Sequence, residues 1–524
     1  MDMVSLGASL SIGLACLGVA FGQCYFIYKV MDILGKNPKM TPFFLTIAIL
    51  GVALIESSAI FGLIVAMQLL GAEFSSPLAS LGAGLAIGLT GLGVGMGEGL
   101  IVEQAVVAAN KNTDEKNKIL SYMILLIALV ESTAIYGIIV AMRIIGEKDM
   151  GALVSLGAGL SIGLTGLGVS LGMSFIARKA MEVIGEHTLE NNKIIIPFTI
   201  LGLALIESAA IYGLVIALNI LTLPAESGIL AIGASLSIGL AGFGVSIGLG
   251  MLISKSISRI GLPWISGKSL IPVTVLGVAL VESAAIYGLV VAFQIIGGDP
   301  STVGLNSIGA GLAVGLAGAG VGLGEGYIGE RAMQAMTVNG ASRAKITTYM
   351  VLFIAMVESL AIYGLIIAIR LVGHNDLGIG ALGAGVAIGL AGAGVALGGG
   401  FLSGKSIILI GKRPELTGFL VTVSILGMAI LESSGIYGLI VSFQIIGHEA
   451  MGVLAIGSGL AIGLAGGGVG LAAGHVISGA FEAIARNPKE KTKYLTFMIL
   501  FVALIEVLAI YGFIIAFQIL GKAS

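Results

Sequence analysis

Apolar residues in this chain come in long blocks, and the blocks are separated by two alternating kinds of polar break. The first two blocks run roughly from Met3 to Leu34 and from Pro42 to Gly71. Both exceed the ~20 residues an α-helix needs to cross a hydrocarbon core. The break between them, Gly35-Lys36-Asn37-Pro38, is built of helix-ending and charged residues. So are Asn110-Lys111-Asn112-Thr113-Asp114 and Arg486-Asn487-Pro488-Lys489 further on. This pattern predicts pairs of membrane helices joined by short polar turns. The opening Met1-Asp2-Met3-Val4 lacks the basic leader of a signal peptide, so its apolar run is read as the first membrane helix.

The pairs repeat. A phrase built on Gly-Ala-Ser/Gly-Leu begins at Gly7, Gly82, Gly157, Gly233, Gly309, Gly383 and, as Gly-Ser-Gly-Leu, at Gly457. A second phrase ending in Ile-Tyr-Gly or a close variant follows Glu56, Glu131, Glu207, Glu282, Glu358, Glu432 and Glu506. The fold expected is an all-α membrane protein of seven tandem transmembrane hairpins, fourteen helices, over residues 1–75, 76–150, 151–226, 227–302, 303–376, 377–450 and 451–524.

Composition agrees with a lipid solvent. The 524 residues are 57% hydrophobic and 10% charged, with a mean hydropathy of +1.10, whereas soluble domains carry about 25% charged residues. A net charge of −2 offers no footing for nucleic acid. Cys16 and Cys24 share the first block and are expected to be small packing residues. All but Arg143, Lys148, Arg370 and Lys522 of the 26 Lys and Arg residues fall in or beside the turns within hairpins. The links between hairpins lean acidic, with Glu73, Glu147, Asp149, Glu226, Asp299, Asp376 and Glu449. The positive-inside rule then puts the turns in the cytoplasm and both termini outside.

The first helix of each hairpin is dense in glycine, as in Gly82, Gly84, Gly88, Gly91, Gly93, Gly95, Gly97 and Gly99. In lipid such a segment stays helical because its backbone must satisfy itself, and small residues let helices approach closely. Seven such helices are expected to crowd together as the inner wall of part or all of a two-layered ring. No strand precedes these glycines, so they do not read as a phosphate-binding loop.

Each of the seven glutamates stands near the middle of its block. A carboxylate at that depth costs ~2.5 to 3.5 kcal/mol even on lenient insertion scales, so it marks function by default. No Lys or Arg stands at matching depth to pair with it. Neutralisation must come from a proton or a small bound cation.

A glycine-patterned first helix, a polar turn and a second helix reading Glu131-Ser132-Thr133-Ala134-Ile135-Tyr136-Gly137 resemble the rotor-ring proteolipids, the c or K subunits, of F-, A- and V-type rotary ATPases. The resemblance spans essentially the whole chain, seven times over. It implies a non-catalytic rotor subunit without cofactors that works beside a stator subunit bearing an arginine, with central-stalk subunits at the turns and other copies of itself in a ring. Most relatives carry one or two hairpins, so seven fused copies is a departure.

Sodium-binding relatives supply further oxygens around the carboxylate. Here Ser57, Ser132, Ser208, Ser283, Ser359 and Ser433 follow the glutamates, with Val507 in the seventh repeat. Five residues past the glutamates stand Tyr136, Tyr212, Tyr287, Tyr363, Tyr437 and Tyr511, with Phe61 in the first. At the matching depth of the first helices stand Gln23, Glu98, Met173, Leu249, Glu325, Gly399 and Ala473, so only Gln23, Glu98 and Glu325 offer a ligand. In the second and fifth repeats two carboxylates share one site, which favours a proton held between them, alone or beside a sodium ion. Protons are slightly favoured, because Met173 and Leu249 give sodium nothing; sodium at the same sites is the alternative. Interhelical hydrogen bonding and packing would also account for the serines and tyrosines.

Smaller signals complete the pattern. Gln68, Arg143, Asn219, Gln294, Arg370, Gln444 and Gln518 recur twelve residues beyond each glutamate, about 18 Å along the helix, where snorkelling is the ordinary reading. Glu98, Glu103 and Arg143 recur as Glu325, Glu330 and Arg370, as a duplicated three-hairpin block would give. His187, His374, His448 and His475 have no metal-ligand spacing. Trp264 lies in a turn, facing stalk or membrane surface. From another class, a cation transporter or channel built of parallel repeats would fit less well, since transporters favour inverted repeats around one or two central sites.

Overall fold

The computed structural model of the chain describes residues 3–147, 149–186, 189–262, 267–448 and 451–522. Lys148, His187, Trp264 and Glu449 lie outside them. Fourteen helices are long and apolar enough to cross a membrane, and no strand occurs among the described residues. The first helices of the hairpins are α1 (Met3–Lys36), α3 (Ala79–Lys111), α5 (Ala152–Glu186), α7 (Gly228–Ile260), α10 (Asn306–Val338), α12 (Gly380–Lys412) and α14 (Val453–Arg486). The second helices are α2 (Thr41–Gly71), α4 (Lys116–Ile145), α6 (Leu189–Ile220), α8 (Gly267–Ile296), α11 (Arg343–Val372), α13 (Thr417–Ile446) and α15 (Lys491–Leu520). The protein is an integral, multi-pass membrane protein.

The helices outrun their apolar blocks, because a helix ends where its backbone is stopped rather than where hydropathy falls. Thus α1 continues through Gly35 and Lys36 and stops at Asn37, whose successor Pro38 disfavours helical backbone in the residue before it. Pro38–Met40 then form a single 3-10 turn, and the Thr41 hydroxyl donates to the Pro38 carbonyl at 2.6 Å. The same turn recurs at Pro414–Leu416, where Thr417 donates to Pro414 at 2.7 Å. A further short helix, α9 (Pro300–Val303), which the hydrophobic pattern does not announce, sits in the link before the fifth hairpin. Asp299 caps it, accepting from the Ser301 N–H at 2.9 Å and hydroxyl at 2.7 Å. Those two bonds hold the Asp299 carboxyl below the usual range.

In the links, Gly304, Gly378 and Gly452 adopt φ of 42°, 58° and 54°. That left-handed backbone turns the chain into the next first helix and favours glycine. Asn306, fully buried at the start of α10, donates to the carbonyls of Leu371, His374 and Asn375 and accepts from the Leu377 N–H.

The chain forms two compact units, one of Met1–Ala231 with Ile253–Ile271, the other of Ile232–Leu252 with Pro272–Ser524. In the first, α1, α3 and α5 pack side by side as one layer, with α2, α4 and α6 laid over them. In the second, α10, α12 and α14 form the layer and α11, α13 and α15 cover it. Within a hairpin the first helix is the more enclosed: 72% of the most apolar stretch of α3 and of α10 is buried, against 44% of α4 and of α11. The second helices leave large apolar side chains exposed, among them Ile124, Leu125, Ile135 and Ile139 on α4, as a lipid-facing layer would. Cys16 and Cys24 are free and exposed on α1 rather than packed between helices, because no other hairpin of the unit covers that face.

Glycine sets the spacing of the layer. A methyl group added at Gly7, Gly82 or Gly157 in the first unit, or at Gly233, Gly309 or Gly383 in the second, would fall within 3.0 Å of the adjoining first helix. Each of these six glycines is thus a point of close contact between neighbouring first helices.

Candidate ion-binding site

Glu131, Glu358, Glu432 and Glu506 stand midway along α4, α11, α13 and α15, and Glu56 midway along α2. Six residues on, the glycine of the Tyr-Gly phrase draws the second helix against its own first helix. A methyl group at Gly62, Gly137, Gly288 or Gly364 would lie within 3.0 Å of Ser11, Thr90, Ser237 or Ala313. The hydroxyls of Ser11, Ser161 and Ser237 reinforce this closure by donating to the carbonyls of Gly62, Gly213 and Gly288 at 2.7, 2.9 and 2.7 Å.

The tyrosine beside that glycine points elsewhere. Five residues past the glutamate it is rotated by about 140° around the helix, so it faces the following hairpin. Tyr136 donates to Glu207 at 2.6 Å, Tyr287 to Glu358 at 2.6 Å and Tyr363 to Glu432 at 2.6 Å. The serine after the glutamate turns to the same seam: Ser359 donates to Glu432 at 2.9 Å and Ser433 to Glu506 at 3.0 Å. A site is therefore shared between two hairpins. One supplies the carboxylate, and the hairpin before it supplies the hydroxyls.

The first helix adds the third side. Gln23 donates to Glu56 at 3.3 Å. Glu98 and Glu325 are completely buried, and neither oxygen of either meets a hydrogen-bond partner in the protein. Their electrostatic neighbours are Glu131 and Glu358 of their own hairpins. The first helix thus brings Gln23 into contact with the glutamate of its own hairpin, and Glu98 and Glu325 within electrostatic reach of theirs. Met173 and Leu249 are buried and apolar at this position, and Gly399 is packed by Met428.

Two other candidates turn to their own helices: Ser132 and Ser283 donate to the carbonyls of Leu129 and Leu280. The buried hydroxyl of Ser57 has no partner. Tyr437 packs against Phe513, ring centroids 4.9 Å apart and planes tilted by 37°, and forms no hydrogen bond to Glu506; Ser434 donates to that carboxylate at 3.2 Å. Ser434 follows the glutamate by two and was not among the sequence candidates. The signal for it was only a second serine in the phrase, shared with Ser58. Of the ion pairs formed among the described residues, none includes Glu56, Glu131, Glu207, Glu358, Glu432 or Glu506. Carboxylates held by neutral hydroxyls and an amide, with no fixed cation, are equipped to take and release a small positive ion.

Repeated membrane hairpins with a mid-helix carboxylate, four of them brought to a seam with the hairpin before, define a proteolipid. The chain belongs to the ATP synthase C-subunit family, which it matches seven times, at residues 6–69, 81–144, 156–220, 232–295, 308–371, 382–445 and 456–519. It is 32% identical over 226 residues to the K subunit of the A-type ATP synthase of Methanocaldococcus jannaschii, an alignment covering 42% of this chain and 95% of that protein. It is 48% identical over 73 residues to the ATP synthase c-subunit of Syntrophomonas wolfei, covering 14% of this chain and 100% of that protein. With the ATP synthase c-subunit of Carboxydothermus hydrogenoformans the identity is 44% over 73 residues, 14% of this chain and 89% of that protein. No solved structure matches the chain. Members of this family are non-catalytic rotor proteolipids, and the chain has that role.

Proposed function

We propose that the seven hairpins are carriers in the rotor ring of a rotary ATPase or ATP synthase, each glutamate holding one cation while the ring turns. The observation that carries this reading is the seam: Glu207, Glu358, Glu432 and Glu506 each accept from the preceding hairpin's hydroxyls, at mid-helix. A carboxylate gripped between two hairpins can be discharged by its ion through most of a revolution. It needs a compensating charge only where the ion leaves. An arginine on a stator subunit of the a type would supply that charge, and stalk subunits would meet the turns on the cytoplasmic side.

The carried ion is a proton in this reading. A carboxylate alone suffices for a proton, and the first-helix position is apolar at Met173 and Leu249. Sodium is the second reading, favoured by Gln23 at Glu56 and by the paired hydroxyls at Glu432. In the second and fifth hairpins, Glu98 and Glu325 would share the ion with Glu131 and Glu358, by proton alone or proton with sodium.

A carboxyl-reactive carbodiimide tests both levels. Modification of Glu56, Glu131, Glu207, Glu282, Glu358, Glu432 or Glu506 is expected to abolish coupled ATPase activity of the assembled complex. Unaltered activity after modification would end the carrier reading. Protection of the glutamates by sodium but not potassium would replace the proton by sodium.

A further inference from the structure

The seam between α13 and α15 departs from its counterparts, and one side chain accounts for the departure. Seven residues past the glutamate, six of the repeats have leucine or isoleucine, whereas the repeat of Glu506 has Phe513. Where the residue is Leu214, Leu365 or Leu439, the tyrosine of the preceding hairpin donates to the carboxylate: Tyr136 to Glu207, Tyr287 to Glu358 and Tyr363 to Glu432. Where it is Phe513, the tyrosine turns the other way. A residue seven positions along a helix lies on the same face, about 10 Å further on. Tyr437, five past its own glutamate, therefore stands at a level between Glu506 and Phe513 and can turn to either. It packs on the Phe513 ring, centroids 4.9 Å apart, and Phe513 is backed in turn by Phe517 at 4.7 Å.

The carboxylate responds. Glu506 is only 8% exposed, whereas Glu207, Glu358 and Glu432 are half-buried. It accepts from Ser433 at 3.0 Å and from the fully buried Ser434 at 3.2 Å. Ser434 is the second particular of this seam. In the hairpins before Glu358 and Glu432 its register holds Ala284 and Leu360, which have no hydroxyl, and before Glu207 it holds Thr133, which donates to the Val130 carbonyl of its own helix. On the first-helix side, at the depth of Glu506, stands Ala473, buried and no larger than a methyl group. Room to turn inward and hydroxyls to meet there are thus both present at Glu506.

We infer that Phe513 is a positioning residue that makes Glu506 a slow carrier: by drawing Tyr437 away it leaves the carboxylate to the two serines, turned in and enclosed. The tyrosine-held carboxylates lie half-exposed at their seams and can meet an exchange partner without rearranging. Glu506 has to break its bonds to Ser433 and Ser434 and swing outward first. It therefore lags Glu207, Glu358 and Glu432 in taking up and releasing its cation, and the hairpins of this chain are not equal carriers. The consequence for transport rests on the carrier reading above, whereas the difference between the sites is measured on its own.

Rates of carbodiimide modification, read glutamate by glutamate, test it. The full-length protein in membranes is treated over time and across a range of pH, and each glutamate-bearing peptide is quantified by mass spectrometry. Glu506 is expected to react about tenfold more slowly than Glu358 of the same molecule, the factor that two neutral hydrogen bonds give. Phe513→Leu installs the residue that Leu214, Leu365 and Leu439 already supply in this register, and unchanged labelling of Glu358 certifies its fold. In that variant Tyr437 is free to reach Glu506, whose rate and pH profile should move onto those of Glu358. Equal rates at Glu506 and Glu358 before substitution overturn the inference, and so does a Glu506 that stays slow in Phe513→Leu. Were the carrier reading alone at fault, the two rates would still differ while modification left coupled activity intact.

Discussion

At the scale of single residues, the two extra acids separate the sites from one another. Glu325 is buried with both oxygens unmet by protein groups, beside Glu358, which accepts from Tyr287. Gln23 occupies the same register beside Glu56 and donates to it. Glu325→Gln should therefore convert the fifth hairpin into a copy of the first, with the amide bonded to Glu358. The expected outcome is retained carbodiimide labelling at Glu358, lost in Glu358→Gln. Labelling that disappears in Glu325→Gln would mean the second carboxyl, not the first, takes the reagent. The register itself was legible in the sequence, since counting from the turn pairs Gln23 with Glu56. The hydrogen bonds of Ser359 and the isolation of Ser57 were not, because a hydroxyl in lipid chooses between its own helix's carbonyls and a neighbour's oxygen by distances of a few tenths of an ångström.

At the scale of helices, glycine does two different jobs that one composition statistic conceals. In the second helices, Gly62, Gly137 and their equivalents close each hairpin on itself; in the first helices, the anchor glycines join hairpin to hairpin. A larger side chain at a contact glycine has to displace backbone, which costs about 1–3 kcal/mol and often more. Gly320→Leu, facing Ala393, is expected to lower the thermal unfolding midpoint in detergent. Gly418→Leu, with open space around it, should leave the midpoint nearly unchanged. Equal effects at the two positions would show that helix propensity, not packing, governs these glycines. Close helix packing was readable from the repeated small residues. Which glycine serves which contact depends on rotational phase around each helix, and that phase is set by the partner helix.

At the scale of the whole molecule, the asymmetry of charge between turns and links predicts one orientation of all seven hairpins. Lys489, Lys491 and Lys493 surround the last turn, whereas Asp376 marks a link. In a background with Cys16 and Cys24 replaced by alanine, Asp376→Cys should react with an impermeant maleimide applied to intact cells. Asn487→Cys should react only after the cytoplasmic face is opened. The reverse pattern would invert the proposed topology, and with it the side on which a stalk could meet the turns.

Hydropathy, the spacing of seven phrases and the placing of one acid in each second helix are local properties. They suffice to specify a membrane protein of seven hairpins, each with a carboxylate midway along its second helix. That two hairpins share one carboxylate, with Tyr287 donating to Glu358 and Tyr363 to Glu432, emerges only once the helices are packed. The reason is geometric. Side chains five residues apart on a helix face nearly opposite ways, and a neighbouring helix has to be in place before either direction has a partner.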